Sequence, residues 1–203
     1  MADHRRFADV IAAIDNANAC DPHTAQIDGR ALPAELLYGQ RMSDALARMD
    51  PDASELLRIA ARGQHIERWT SPRTAYPPGR AGYLKWRNDL KEFHARRLGE
   101  IMAAAGYGPQ DVTRVGAIVR KERLRSDPEV QMLEDVVCIV FLTHYLADFM
   151  GKTDEAKLAR ILAQTWNKMS AQGHAHADKL DLPPIVMALV RRGLEQGREE
   201  SGF

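Results

Sequence analysis

Apolar residues recur at helical spacing along nearly the whole of this chain. Phe7, Val10, Ile11 and Ile14 form an i, i+3, i+4, i+7 stripe. Residues 16–33 are rich in turn formers and read as a loop. Pro33 and Glu35 suit the start of a helix that runs to about Met49, where Asp50-Pro51-Asp52 breaks it. The pattern predicts further helices over about 53–69, 80–105, 111–123, from Pro128 onward, over 153–170 and over 183–196. Gly106-Tyr107-Gly108 ends the second of these, and Ser126-Asp127-Pro128 caps the helix that starts at Pro128, with proline at its first position. Pro72, Pro77 and Pro78 exclude regular helix from 70 to 79 and make that stretch a lid-like loop. No strand pattern, repeat or low-complexity tract stands out. The expected fold is all-α: one compact helical domain over 1–203, about eight helices, with a flexible C-terminal tail at 198–203.

The most apolar stretch, Leu133 to Leu142, opens on two carboxylates, Glu134 and Asp135. A helix hydrophobic almost all round belongs in the interior. Burying an unpaired charge there costs several kcal/mol or more, so each carboxylate needs a cation, a metal or a proton.

Composition narrows the partners. The 203 residues hold 28 basic and 28 acidic side chains. That balance argues against DNA or a membrane surface as the partner. Cys20 and Cys138 form no spacing motif, and Cys138 reads as a buried small hydrophobe, so a reducing, cytoplasmic setting is expected. The first residues lack the apolar core of a signal peptide, and the longest apolar run is too short to span a bilayer. The apolar stripe from Leu180 to Val190 is either core or the contact of a homodimer.

Charge is uneven locally. Between Arg62 and Arg97 stand nine basic residues and only Glu67, Asp89 and Glu92 as acids, with Trp69, Tyr76, Tyr83, Trp86 and Phe93 interleaved. Arginine forks recognise phosphate or carboxylate, and aromatic faces stack on planar groups. Arg68, Arg73, Arg80 and Arg87, with Trp69 and Tyr83, are therefore candidates to bind a small anionic molecule. The plainer alternative is that some of these arginines only form ion pairs. His65 and His94 lie in the same region, and neither has an i+4 histidine, so no zincin-type pair exists. Taken alone, each reads as a structural histidine, and His174 and His176 as an exposed helix end.

The order of these residues resembles the HD-domain superfamily of metal-dependent phosphohydrolases. Tyr38-Gly39-Gln40-Arg41-Met42 looks like the first motif, with Tyr38 in place of its histidine. Ala60 to Ile66 looks like the second, with His65 matching the histidine and Ile66 replacing the aspartate. His94 matches a further histidine, Lys121 stands where another is expected, and Asp135 matches the last aspartate. Isoleucine cannot ligate a metal, so the resemblance implies no dinuclear site. It leaves His65, His94 and Asp135 as a mononuclear set for one divalent ion (Fe, Mn or Zn), or a site with no metal, where Lys121 supplies the positive charge facing Asp135 and Glu134.

The whole chain also looks like one narrower helical family of unknown function, sometimes labelled glutamyl-tRNA-synthetase-like. The resemblance rests on Gln64-His65-Ile66-Glu67-Arg68-Trp69, Gly82 to Arg87, Leu133-Glu134-Asp135-Val136 and Thr165 to Ser170. The synthetase label finds no support, because an all-α chain lacks the nucleotide-binding α/β domain that activity needs. The leading expectation is an HD-like enzyme acting on a small anionic substrate. His65, His94, Asp135, Glu134 and Lys121 would be catalytic. The alternatives are a non-catalytic small-molecule-binding module on a degenerate HD-like fold, and a purely structural buried ion network.

Overall fold

The computed structural model describes the backbone of residues 2–27 and 29–201, with side chains for 5–27 and 29–196. Among the described residues the regular structure is helical, apart from one short hairpin. The helices are α1 (Ala2–Asn18), α2 (Ala34–Met49), α3 (Glu55–Arg62), α4 (Gly79–Ala104), α5 (Pro109–Arg120), α6 (Pro128–His144), α7 (Leu146–Met150), α8 (Glu155–Lys168), α9 (Ala171–Ala177) and α10 (Pro184–Ser201). The all-α expectation therefore holds. Most of the expected tail at 198–203 lies outside the described residues. Two compact units divide the chain, residues 1–133 and 134–203, with the boundary inside α6.

In the first unit α1–α5 pack around Val10, Ile14, Met42, Leu46, Leu57, Ile59, Leu98, Met102 and Ile118, all essentially solvent-free. Arg62 locks α3 to α1 through two hydrogen bonds of 2.6 Å to Asp15. The segment read as a loop at 16–33 instead contains the strands β1 (Thr24–Ile27) and β2 (Arg30–Pro33), antiparallel with Thr24 opposite Pro33 and Ile27 opposite Arg30. Their turn includes Gly29 at φ +75, a left-handed conformation that suits glycine.

The helix expected to reach residue 69 stops at Arg62. Gly63 is its C-cap and donates its N–H to the Ile59 carbonyl. A Cβ at Gly63 would overlap the Leu98 side chain, so glycine lets α3 end hard against α4. The chain then passes Glu67 in the left-handed region (φ 50), where Asn18 accepts the Glu67 N–H at 2.9 Å and Arg97 donates to its carboxylate at 2.7 Å. Such a backbone costs about 1–2 kcal/mol in a residue other than glycine, which these contacts offset.

The proline-rich stretch is ordered by its own arginine. Arg73 donates to the carbonyls of Tyr76 (3.0 Å), Pro77 (2.8 Å) and Gly79 (3.3 Å). A Cβ at Gly82 would overlap the Pro77 carbonyl oxygen. Gly82→Ala should therefore push the loop off the first turn of α4 and destabilise by about 1–3 kcal/mol. Faster proteolytic cleavage within 70–79 would report it, and unchanged cleavage would argue against this close approach.

α6 starts as the sequence indicates: the Asp127 side chain accepts from the N–H groups of Glu129 (3.1 Å) and Val130 (3.3 Å). In the second unit the main pairing is α8 with α10. Val186, Leu189 and Val190 are buried, which makes that part of the 180–190 stripe core. No described helix is long and apolar enough to cross a membrane.

Candidate functional site

Six of the residues singled out by the sequence meet in the first unit. His65, Arg68, Tyr83, Arg87, His94 and Lys121 line one hollow of about 190 Å³, together with Gln64, Trp86, Leu90, Lys91 and Val119. The turn after α3 supplies Gln64, His65 and Arg68. α4 supplies the residues from Tyr83 to His94, one to three turns apart on one side. Lys121 is the C-cap of α5, held left-handed at φ 61. Four cationic side chains thus face a space that no described carboxylate lines.

Both histidines are held neutral. His94 is buried, and its Nδ1 lies 2.8 Å from the Ile66 carbonyl oxygen. A carbonyl only accepts, so Nδ1 carries the hydrogen and Nε2 keeps its lone pair. Burial, and then the neighbouring His65, press the His94 pKa down to about 3, against a small opposing effect of the Ile66 hydrogen bond. The His65 ring stacks on Tyr38, centroids 4.1 Å apart and 11° from parallel. Burial, followed by the charges of Arg68, Lys121 and Arg87, holds His65 well below the usual histidine range.

Glu35 was missed as a site residue. One of its oxygens lies 3.4 Å from His65 Nδ1 and the other 3.9 Å from Arg68 Nη1. Burial raises its pKa to about 7, with Arg68 pulling it down and Asp21 pushing it up. In the sequence it reads as an ordinary acid in the first turn of α2. Its spacing was the available signal: Glu35 and Tyr38 are three apart, hence on one helix face, and Tyr38 occupies the first motif position.

The remaining candidates of the first unit lie outside this lining. Trp69 and Arg73 line a neighbouring hollow of about 220 Å³ that shares Arg68 and Trp86 with the first. Arg80 is exposed at the start of α4. Arg68 lies over the Trp86 ring at 5.2 Å, and Trp86 Nε1 donates to the Ser71 carbonyl at 2.9 Å. Asp135 and Glu134 are described within the second unit. Asp135 is buried, and its two oxygens accept from Ser170 N at 2.8 Å and Ser170 Oγ at 2.5 Å. Glu134 lies 3.5 Å from Lys168 Nζ. His174 stacks on Trp166 and meets its carbonyl at 2.9 Å.

Among the described residues, no group of three or more His, Cys, Asp or Glu side chains could hold a metal ion. Of the three ligands implied by the motif order, His65 and His94 belong to the first unit and Asp135 to the second.

These features define an all-α protein whose first unit carries a cation-lined hollow with two neutral histidines. The chain belongs to the family described as domain of unknown function DUF4202, whose model matches residues 8–190. No curated protein and no solved structure matches it.

Proposed function

We propose that this protein is an enzyme acting on a small phosphate- or carboxylate-bearing substrate held in the Arg68–Arg87–Lys121 hollow. One observation carries the reading: four cations converge on a space lined by no described carboxylate and shared with two histidines kept neutral. Cations so placed attract an anion, and the neutral His94 imidazole can accept a hydrogen bond from a bound hydroxyl or water and orient it. Arg87 is steadied for this by Tyr83, whose hydroxyl it meets at 3.3 Å. The HD-like motif order remains part of the proposal. Tyr38 braces His65 where that family places a histidine, and the backbone of Ile66 orients His94 where it places an aspartate. Both cysteines are free thiols, in keeping with the cytoplasmic setting proposed.

The test is thermal unfolding with inorganic phosphate, pyrophosphate and small carboxylates, followed by assay of phosphate esters for released phosphate. At a hundred times Kd, a bound anion stabilises by about 2.7 kcal/mol, which raises Tm by roughly 5–10 °C in a chain of this size. Arg87→Ala and Lys121→Gly should each weaken binding about tenfold, since each removes a charged donor. Glycine suits the left-handed backbone at position 121. Tight binding with no turnover of any ester would leave a binding module, and no stabilisation by any anion would remove both readings.

A further inference from the structure

Three buried polar atoms of the described residues that line this hollow have no hydrogen-bond partner: Gln64 Oε1, His94 Nε2 and His65 Nδ1. His65 Nδ1 has a Glu35 oxygen 3.4 Å away, which leaves Gln64 Oε1 and His94 Nε2. Gln64 is 7% exposed and His94 4%, and both residues line the same space. Both atoms are acceptors, the second because the Ile66 carbonyl fixes the hydrogen on Nδ1. Buried acceptors without donors cost stability, and folded proteins keep few of them. The cations Arg68, Arg87, Lys91 and Lys121 account for the anionic end of a ligand but offer nothing that these two atoms would gain from that anion. An anion is itself an acceptor, so it would be repelled by them. What they lack is an O–H or N–H.

Resting on the reading above, we propose that the ligand is a hydroxylated anion, in which a neutral hydroxyl close to the phosphate or carboxylate donates to Gln64 Oε1 and His94 Nε2. The surrounding charge decides between a hydroxyl and an amine. Four cations would repel an ammonium group, whereas a neutral hydroxyl meets no such penalty. Gln64 and His94 then act as specificity residues: they select the polyol or hydroxy-acid member of each anion class. A site built around a donor rejects the analogue that lacks it, because its own acceptors are left stranded in the complex.

Calorimetric titration of the full chain with glycerol 3-phosphate and with n-propyl phosphate tests this, since the two differ in their hydroxyl groups. Glycerol 3-phosphate should bind at least tenfold more tightly. In Gln64→Leu that preference should shrink to threefold or less, with propyl phosphate bound as well as before or better. Phosphoethanolamine should bind less tightly than glycerol 3-phosphate, and tighter binding would overturn the choice of hydroxyl over amine. Should Gln64→Leu fail to fold, histidine-labelled wild-type protein gives the second readout. Glycerol 3-phosphate should shift the His94 Nε2 resonance as its lone pair accepts a hydrogen bond, and propyl phosphate should not. Equal binding of the two phosphates, with no such shift, overturns the inference while the anion site stands. If neither phosphate binds, the anion site itself falls.

Discussion

Between pH 6.5 and pH 3 the protein should lose on the order of 5 kcal/mol of stability through His94 alone. The sign follows from the folded-state value of about 3 against an ordinary 6.5. Between those values the unfolded chain binds a proton at this side chain and the folded chain does not. The stabilisation is complete above 6.5 and is lost as pH falls through 3. His65, also lowered, adds to the loss. Glu35 opposes both. Its folded value of about 7 exceeds the ordinary 4.5, so its contribution is present below 4.5 and lost as pH rises through 7. The groups facing His94 are His65, Arg68 and Glu35. The gain from Glu35 therefore masks part of the histidine loss down to about pH 4.5, and the steep fall should come below that. His94→Gln separates the contributions, since an amide can still donate to the Ile66 carbonyl but does not titrate. Urea midpoints at pH 7 and pH 4 should draw together in this variant relative to the wild type. If wild type and variant lose the same stability on acidification, His94 is not the buried neutral base described above. Nitrogen chemical shifts supply an independent check, because the Nδ1–H form of His94 should persist to pH 4.

The sequence carried the helices well and the site in part, and the reasons differ. α2, α4 and α6 were legible because their apolar spacing, proline positions and caps act locally. Asp127 needs only the next two N–H groups to begin α6. The hairpin escapes the pattern because β1 and β2 are only four residues each, too short for alternation to stand out among the surrounding turn formers. α3 was read too long because Gly63, Gln64 and His65 do not break helical periodicity by themselves. A Cβ at position 63 would overlap Leu98, thirty-five residues away, so the glycine at the helix end answers a tertiary approach that periodicity cannot carry. The grouping of His65, Arg68, Arg87, His94 and Lys121 followed from motif order and charge. Glu35 did not, because its raised pKa comes from burial and then from Asp21, and its neighbour His65 is thirty residues away in sequence. The basic set also divides as no composition could show. Arg62 and Arg97 are paired with Asp15 and Glu67, and Arg73 with loop carbonyls, while Arg68 and Arg87 face the hollow.

Asp135→Ala should destabilise the protein by about 3–5 kcal/mol. The carboxylate is 1% exposed, and it accepts both the Ser170 N–H and the Ser170 hydroxyl. Ser170 in turn caps α9, accepting the Gly173 N–H at 3.1 Å. A Cβ at position 173 would lie 2.7 Å from the Asp135 carboxyl carbon, so glycine there makes the approach feasible. Alanine at 135 strands two donors and opens a small cavity, each an established route to a large loss. Asp135→Asn keeps one acceptor and should lose less, about 1–3 kcal/mol. Ser170→Ala removes the α9 cap and one partner, for about 1 kcal/mol. The double variant Asp135→Ala, Ser170→Ala should be less destabilised than the sum of the singles, because the two share a hydrogen bond. Urea unfolding, with hydrogen exchange of the α9 amides as the local probe, measures all four proteins. Full additivity would mean the Asp135–Ser170 contact contributes little. A carboxylate kept for chemistry alone gives the opposite pattern, in which Asp135→Ala retains or gains stability while anion turnover disappears. Stability and turnover measured on one preparation therefore decide whether Asp135 holds the fold, serves the reaction, or does both.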